Sequence, residues 1–203
     1  MTPYPDWLNP GDNAWQLVAA TLVGLMSIPG LALLYGGLLQ RKWVVNTMLM
    51  AFTGFSLVLV VWVLWGFNLG FGKPLTPSWP GILSGWIGTP RTVLGARSIE
   101  GQAHIPLLSP PGSSSMPAFR FPQASLVYFQ FVFAAITPLL FLGSVLGRMS
   151  FKAWLLFVPL WSTIVYSVNA FSSASSRAPP PPATGYGYGE STWSSESEPA
   201  NPD

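Results

Sequence analysis

The sequence predicts an all-α fold, a polytopic transmembrane helix bundle of about four helices with a disordered tail. Three observations predict it. Only 8% of the 203 residues are charged and 50% are hydrophobic. A soluble domain carries about 25% charged residues, so this chain cannot cover itself with a hydrated surface and reads as an integral membrane protein. Residues 121–147 run for 27 positions, and residues 153–171 for 19, without a charge. At about 1.5 Å per residue, each run crosses a hydrocarbon core of roughly 30 Å as a helix. Between them stands only RMSFK, with Arg148 and Lys152, a basic turn that makes the pair a membrane hairpin.

Composition also narrows function. The net charge is +2, and no basic cluster points to nucleic acid as a partner. The chain has no cysteine, so disulfides, thiolate metal sites and thiol chemistry are excluded. No cofactor and no metal are expected. An enzyme is not expected either. His104 is the single histidine, and the seven carboxylates fall in the N-terminus, the long loop or the tail, so no nucleophile, base and orienter converge within the spans.

In chain order, residues 1–13 carry Pro3, Pro5, Pro10 and Gly11 and form a polar extracellular lead-in. They lack the basic start of a secretory leader, so the first apolar span is expected to remain as a helix. That span covers about 14–39, with Asp12 or Asn13 as its N-cap. Pro29-Gly30 near its middle removes a backbone hydrogen bond and predicts a kink, either a packing kink or a bend around a substrate path. Gly30, Gly36 and Gly37 leave room for close helix contact. Arg41-Lys42 makes a turn into a second span, 43–71, where Asn46, Trp62, Trp65 and Asn68 are placed near the ends as interfacial anchors. The third span is 121–147 and the fourth 152–171. Gly66 and Gly70, and Gly143 and Gly147, have the small-xxx-small spacing of helix contacts.

The connection 73–120 is rich in Pro, Gly and Ser and is expected to hold little stable structure beyond a short apolar piece at 82–87. His104 lies in it and reads as a surface residue, because a metal site needs several convergent ligands. Residues 172–203 hold eight serines and six prolines without a hydrophobic period and read as disordered. Pro179 to Pro182 offer a polyproline II ligand of the SH3 type as the alternative to a non-binding tail. The two tight turns concentrate Arg41, Lys42, Arg148 and Lys152, which places them on the cytoplasmic side. The N-terminus, the long loop and the tail are then outside.

No charged residue lies inside a span. The polar inventory there is mild: Gln16, Asn46, Gln130, Thr137 and Asn169. The third span is crowded with Tyr128, Phe129, Phe131, Phe133 and Phe141. Phe129 and Phe133 are four apart and share one helix face. Two rings on one wall either receive a cation on their π faces, for about 0.5–2 kcal/mol, or serve as lipid-facing or interhelical filler.

YFQFVFAAITPLLFLGSVLGRMSFKAWLLFVPLW resembles the third and fourth helices of the ammonium transporter, methylammonium permease and Rhesus family. GDNAWQLVAATLVGLMSIPGLALLYGG followed by RKWVVNT is similar to its opening helix, and WVLWGFNLGFG to the end of its second helix. The similarity covers about residues 11–171, in the style of plant members. It implies an ammonium transporter of the plasma membrane, a homotrimer with one pore per subunit, built from about eleven helices in two inverted halves. It implies that ammonium is recruited in an outer aromatic vestibule and deprotonated, and that neutral ammonia passes a phenylalanine gate. An ion at the bilayer centre is costly, whereas ammonia is not. On the motif around YFQFVFAAIT, Phe129 matches the vestibule phenylalanine, Phe133 the gate phenylalanine and Gln130 the glutamine between them.

The resemblance also marks departures. The family's fourth helix continues past Asn-Ala-Phe into Trp-Gly-Gly-Gly, where this chain has Ser172 and a serine-rich stretch. No residue matches the family's two pore histidines, and Pro138 stands where relatives carry an aliphatic residue. The expected product is therefore an N-terminal, truncated fragment of about four helices that does not transport alone. Two other readings are a short regulatory or dominant-negative subunit that joins full-length transporters, and an unrelated four-helix membrane adaptor with a Pro-rich tail.

Overall fold

A computed structural model describes residues 5–75, 86–95, 99–106, 108 and 119–175. Among these residues it is helical, with two isolated antiparallel bridges, Pro74 to Gly88 and Gln102 to Pro122. Four helices are long and apolar enough to cross a membrane: α1 (Pro10–Leu38), α2 (Arg41–Phe71), α3 (Gln123–Val145) and α4 (Phe151–Ala174). The Ile82 to Ile87 stretch lies mostly outside the described residues, as does the Pro179 to Pro182 run.

Helix α1 starts earlier than its sequence suggests. Asn9, rather than Asp12 or Asn13, is the N-cap, and its side chain accepts from the Gly11 and Asp12 amides at 2.8 and 3.2 Å. Pro10 decides this, because its fixed φ suits the first helical position and it has no amide to satisfy. Asn13 instead pairs its side chain with the Ser125 hydroxyl at the head of α3. At the other end of the hairpin, α3 stops at Val145, and Gly147 takes φ 72° in the turn. Gly147 is thus a turn residue and not half of a helix-contact pair, since only glycine holds that φ without strain.

Three helices widen by one residue into π turns. The first, Met26–Leu31, contains Pro29. Proline has no amide and its ring crowds the carbonyl four residues back, so the wider turn relieves both. The second, Trp62–Gly66, sends the Phe67 amide to the Trp62 carbonyl. The carbonyl of Val63 thereby loses its ordinary α-helical donor, and the connection supplies replacements: the Val93 amide at 3.0 Å and the Thr92 hydroxyl at 3.1 Å. The third, Ser162–Tyr166, follows Pro159 in α4. The second and third turns lie side by side, joined by Trp65 Nε1 donating to Thr163 Oγ1 at 3.0 Å. Helix α3, by contrast, continues as α-helix through Pro138.

The core forms where α2 and α3 meet their neighbours. In the most apolar stretch of α3, 56% of residues are buried, against 11% in α1, so α1 presents most of its apolar surface outward. Trp62 is fully buried and its Nε1 donates to the Val127 carbonyl at 3.1 Å. Full burial rules Trp62 out as an interfacial anchor, while Trp65 is half-buried and spends its N–H on α4. Asn68 is likewise engaged, donating to the Arg91 carbonyl at 2.7 Å. Helix α4 runs on to Ser175, four residues into the stretch expected to be tail. Phe171 and Ala174 are buried there, 1% and 6% exposed, and that packing overrides the serine-rich composition. Gly70 admits the approach, since a Cβ on it would stand 3.2 Å from Ala170 Cβ.

The glycines of α1 and α3 divide sharply by environment. A Cβ on Gly143 would stand 2.8 Å from the Tyr35 ring, whereas one on Gly37 would meet nothing within 4 Å. Gly143→Val is expected to displace Tyr35, whose hydroxyl donates to the Leu140 carbonyl at 2.9 Å, and to destabilise the bundle by about 1–3 kcal/mol. Gly37→Ala is expected to be neutral or to stabilise it by up to about 1 kcal/mol. Thermal unfolding in detergent separates the two. Equal losses would mean that the α1–α3 contact is not formed as described.

Candidate functional site: an aromatic wall on the third helix

The five aromatic residues of α3 have separate fates. The Tyr128 hydroxyl lies 3.3 Å from Thr21 Oγ1 of α1. Phe131 packs edge-on against Phe55 of α2, centroids 5.1 Å apart, and is 5% exposed. Phe141 meets Trp154, Phe157 and Trp161 of α4 at 6.1, 5.9 and 4.9 Å. Those three rings bind the helices together. Phe129 and Phe133 form the remaining pair, one helical turn apart, with centroids 5.1 Å apart and planes inclined by 60°. The rings are therefore tilted towards each other rather than stacked. Phe133 is 38% exposed.

That pair is a hydrophobic surface with a negative π face, the chemistry that attracts a desolvated cation. It stands on α-helical backbone, reinforced where the Thr137 hydroxyl donates to the Phe133 carbonyl at 2.7 Å. Gln130 does not join it. One residue further round the helix, Gln130 lines a cavity of about 340 Å³ with Tyr166 and Asn169 of α4, and neither phenylalanine lines that cavity. Among the described residues, no group of three His, Cys, Asp or Glu could hold a metal ion. His104 is exposed and lies in the connection.

A second feature was not legible in the sequence. The connection after α2, expected to be largely unstructured, builds a cavity of about 570 Å³ at the end of the bundle. It is walled by the end of α2, by residues of 89–93 and of 101–106, and by Gln123 at the start of α3. Its positions depend on hydrogen bonds between segments tens of residues apart, for which composition carries no signal.

A bundle of four long apolar helices, charged only in their first turns and carrying an aromatic pair on an inner helix, defines a polytopic membrane protein. The chain belongs to the Ammonium Transporter Family, whose model matches residues 14–172. It is 50% identical over 172 residues to "Ammonium transporter 3 member 2" of Oryza sativa subsp. japonica, a match covering 82% of this chain and 34% of that one. It is 49% identical over 168 residues to "Ammonium transporter 2" of Arabidopsis thaliana, covering 83% and 32%. In structure it is similar to Candida albicans Mep2, with a TM-score of 0.61, 24% identity, and coverage of 85% of this chain and 33% of that one. Saccharomyces cerevisiae Mep2 gives a TM-score of 0.56 at 27% identity, covering 85% and 34%. The chain thus spans about a third of the length of the curated relatives it matches.

Proposed function

We propose that this chain is the N-terminal part of an ammonium transporter of the plasma membrane and supplies one aromatic wall of an ammonium path. The carrying observation is the Phe129–Phe133 pair. Its rings meet each other, Phe129 packs against the core while Phe133 stays exposed, and the two positions match the family's vestibule and gate phenylalanines by motif. On this reading Phe129 helps hold ammonium by its π face, Phe133 restricts passage to the neutral amine, and Gln130 supplies a polar contact from its own cavity. The chain is a transporter element rather than an enzyme. In the membrane it associates as a homotrimer or with full-length subunits. A regulatory role is the second form of the same reading, because a chain that keeps the outward apolar face of α1 can join a longer subunit.

The test is a chimera in which residues 1–171 replace the matching third of the rice relative. Restored growth of a transporter-deficient yeast on low ammonium supports the reading. A chimera that reaches the surface and fails to transport methylammonium refutes it.

The orientation reading places the N-terminus and the connection outside. The fold supports a shared side for them, because the Asn9 amide donates to the Arg120 carbonyl at 2.9 Å and Asp12 lies 3.8 Å from Arg120 Nε. A cysteine placed at position 6 or 104 is expected to react with an impermeant maleimide on intact cells, and one at position 42 is not. Labelling at 42 alone would invert the topology.

A further inference from the structure

We propose that the cavity at the connection end of the bundle binds a water-borne oxyanion of the phosphate class. Lys73, Arg91 and His104 line it together, and among the described residues no carboxylate does. Each of the three has its own backbone pinned. The Lys73 carbonyl accepts from the Thr89 amide at 2.8 Å, the Arg91 carbonyl from Asn68 Nδ2 at 2.7 Å, and the His104 amide donates to Gln123 Oε1 at 2.8 Å. Asn68 and Gln123 are themselves residues of the membrane helices α2 and α3, so rigid elements set the spacing of three basic residues from distant parts of the chain.

All three side chains are exposed and solvated, and the positive charges of Lys73 and Arg91 give the cavity a positive field that favours an anion. The ion pair among the described residues, Arg120 with Asp12, does not involve these residues. Glu100 adjoins the lining residue Gly101 but is exposed and does not line the cavity. An oxyanion supplies the counter-charge: the guanidinium fork takes two oxygens, and lysine acts as a point charge. The imidazole offers an N–H in either protonation state. Phe67, Phe71 and Val93 form an apolar floor, which lowers the local dielectric and strengthens each contact. With about 570 Å³ of space, the site admits an organic phosphate as well as the inorganic ion.

The experiment uses the 203-residue chain in nanodiscs of zwitterionic phosphatidylcholine, titrated calorimetrically with inorganic phosphate at constant ionic strength set by chloride. Saturable binding is expected, weakened about tenfold or more by Arg91→Gln or Lys73→Gln. Arg91→Lys should lose less, and Arg148→Gln at the opposite end should leave binding unchanged. If Arg91→Gln fails to fold, Lys73→Gln decides. No saturable binding at millimolar phosphate, or binding insensitive to these substitutions, overturns the proposal. So does occupancy that appears only when anionic lipid is added to the disc, which would make the ligand a lipid headgroup.

Discussion

Yeast lacking its own ammonium transporters and expressing the 203-residue chain at the surface is expected not to grow on low ammonium. A cation leaving water loses hydration that costs several kcal/mol unless an enclosing site replaces it. The described residues offer a single pair of tilted rings, with Phe133 still 38% exposed. One such wall returns about 0.5–2 kcal/mol, too little to hold the ion. His104 is the sole histidine and lies outside all four spans, so no imidazole of this chain is placed to take the ammonium proton along the path. In the chimera with the rice relative, growth is expected. There Phe129→Ala should lower uptake about tenfold, the effect of roughly 1.4 kcal/mol of cation–π stabilisation, and Phe133→Ala should weaken or alter transport by opening the gate. Robust growth with the short chain, lost on Phe133→Ala, would show that four helices suffice.

Truncating Trp154 to alanine is expected to cost more stability than Gly143→Val. Trp154 is fully buried, its Nε1 donates to the Met50 carbonyl at 2.8 Å, and its ring fills the space left by Gly54. It also stacks with Phe157 at 6.4 Å. Trp154→Ala leaves a cavity between α2 and α4 and should destabilise the bundle by about 3–5 kcal/mol. Trp154→Phe keeps most of the packing and loses the hydrogen bond. The Met50 carbonyl retains Thr53 Oγ1 at 3.2 Å, so that change should cost only about 1–1.5 kcal/mol. Chemical or thermal unfolding in a mild detergent measures both. Equal losses would mean that the hydrogen bond, and not the packed ring, joins α2 to α4.

Much of the candidate site is legible in the sequence because it is local. The i, i+4 spacing of Phe129 and Phe133 puts them on one face of any helix, and the observed pair is adjacent as expected. The motif groups Gln130 with them by sequence adjacency alone. On a helix, adjacent residues diverge by about a hundred degrees, and Gln130 accordingly faces another cavity. Which rings are filler cannot be read from α3 alone, since Tyr128, Phe131 and Phe141 are committed by partners on α1, α2 and α4.

The membrane class and the four spans follow from the chain segment by segment. Charge-free length set against bilayer thickness is a property of each segment, independent of its neighbours. The basic turns and the approximate helix ends follow in the same way, apart from the Asn9 cap and the extension of α4 to Ser175. Packing between distant segments settles the rest: where Trp62 and Trp65 go, why α2 and α4 widen together, and how the connection closes a basic cavity. The Trp65–Thr163 bond spans 98 residues and the Trp62–Val127 bond 65. In a dry helix bundle a freed carbonyl or indole N–H must find whichever partner the packing brings near, and no periodicity within one segment encodes that partner.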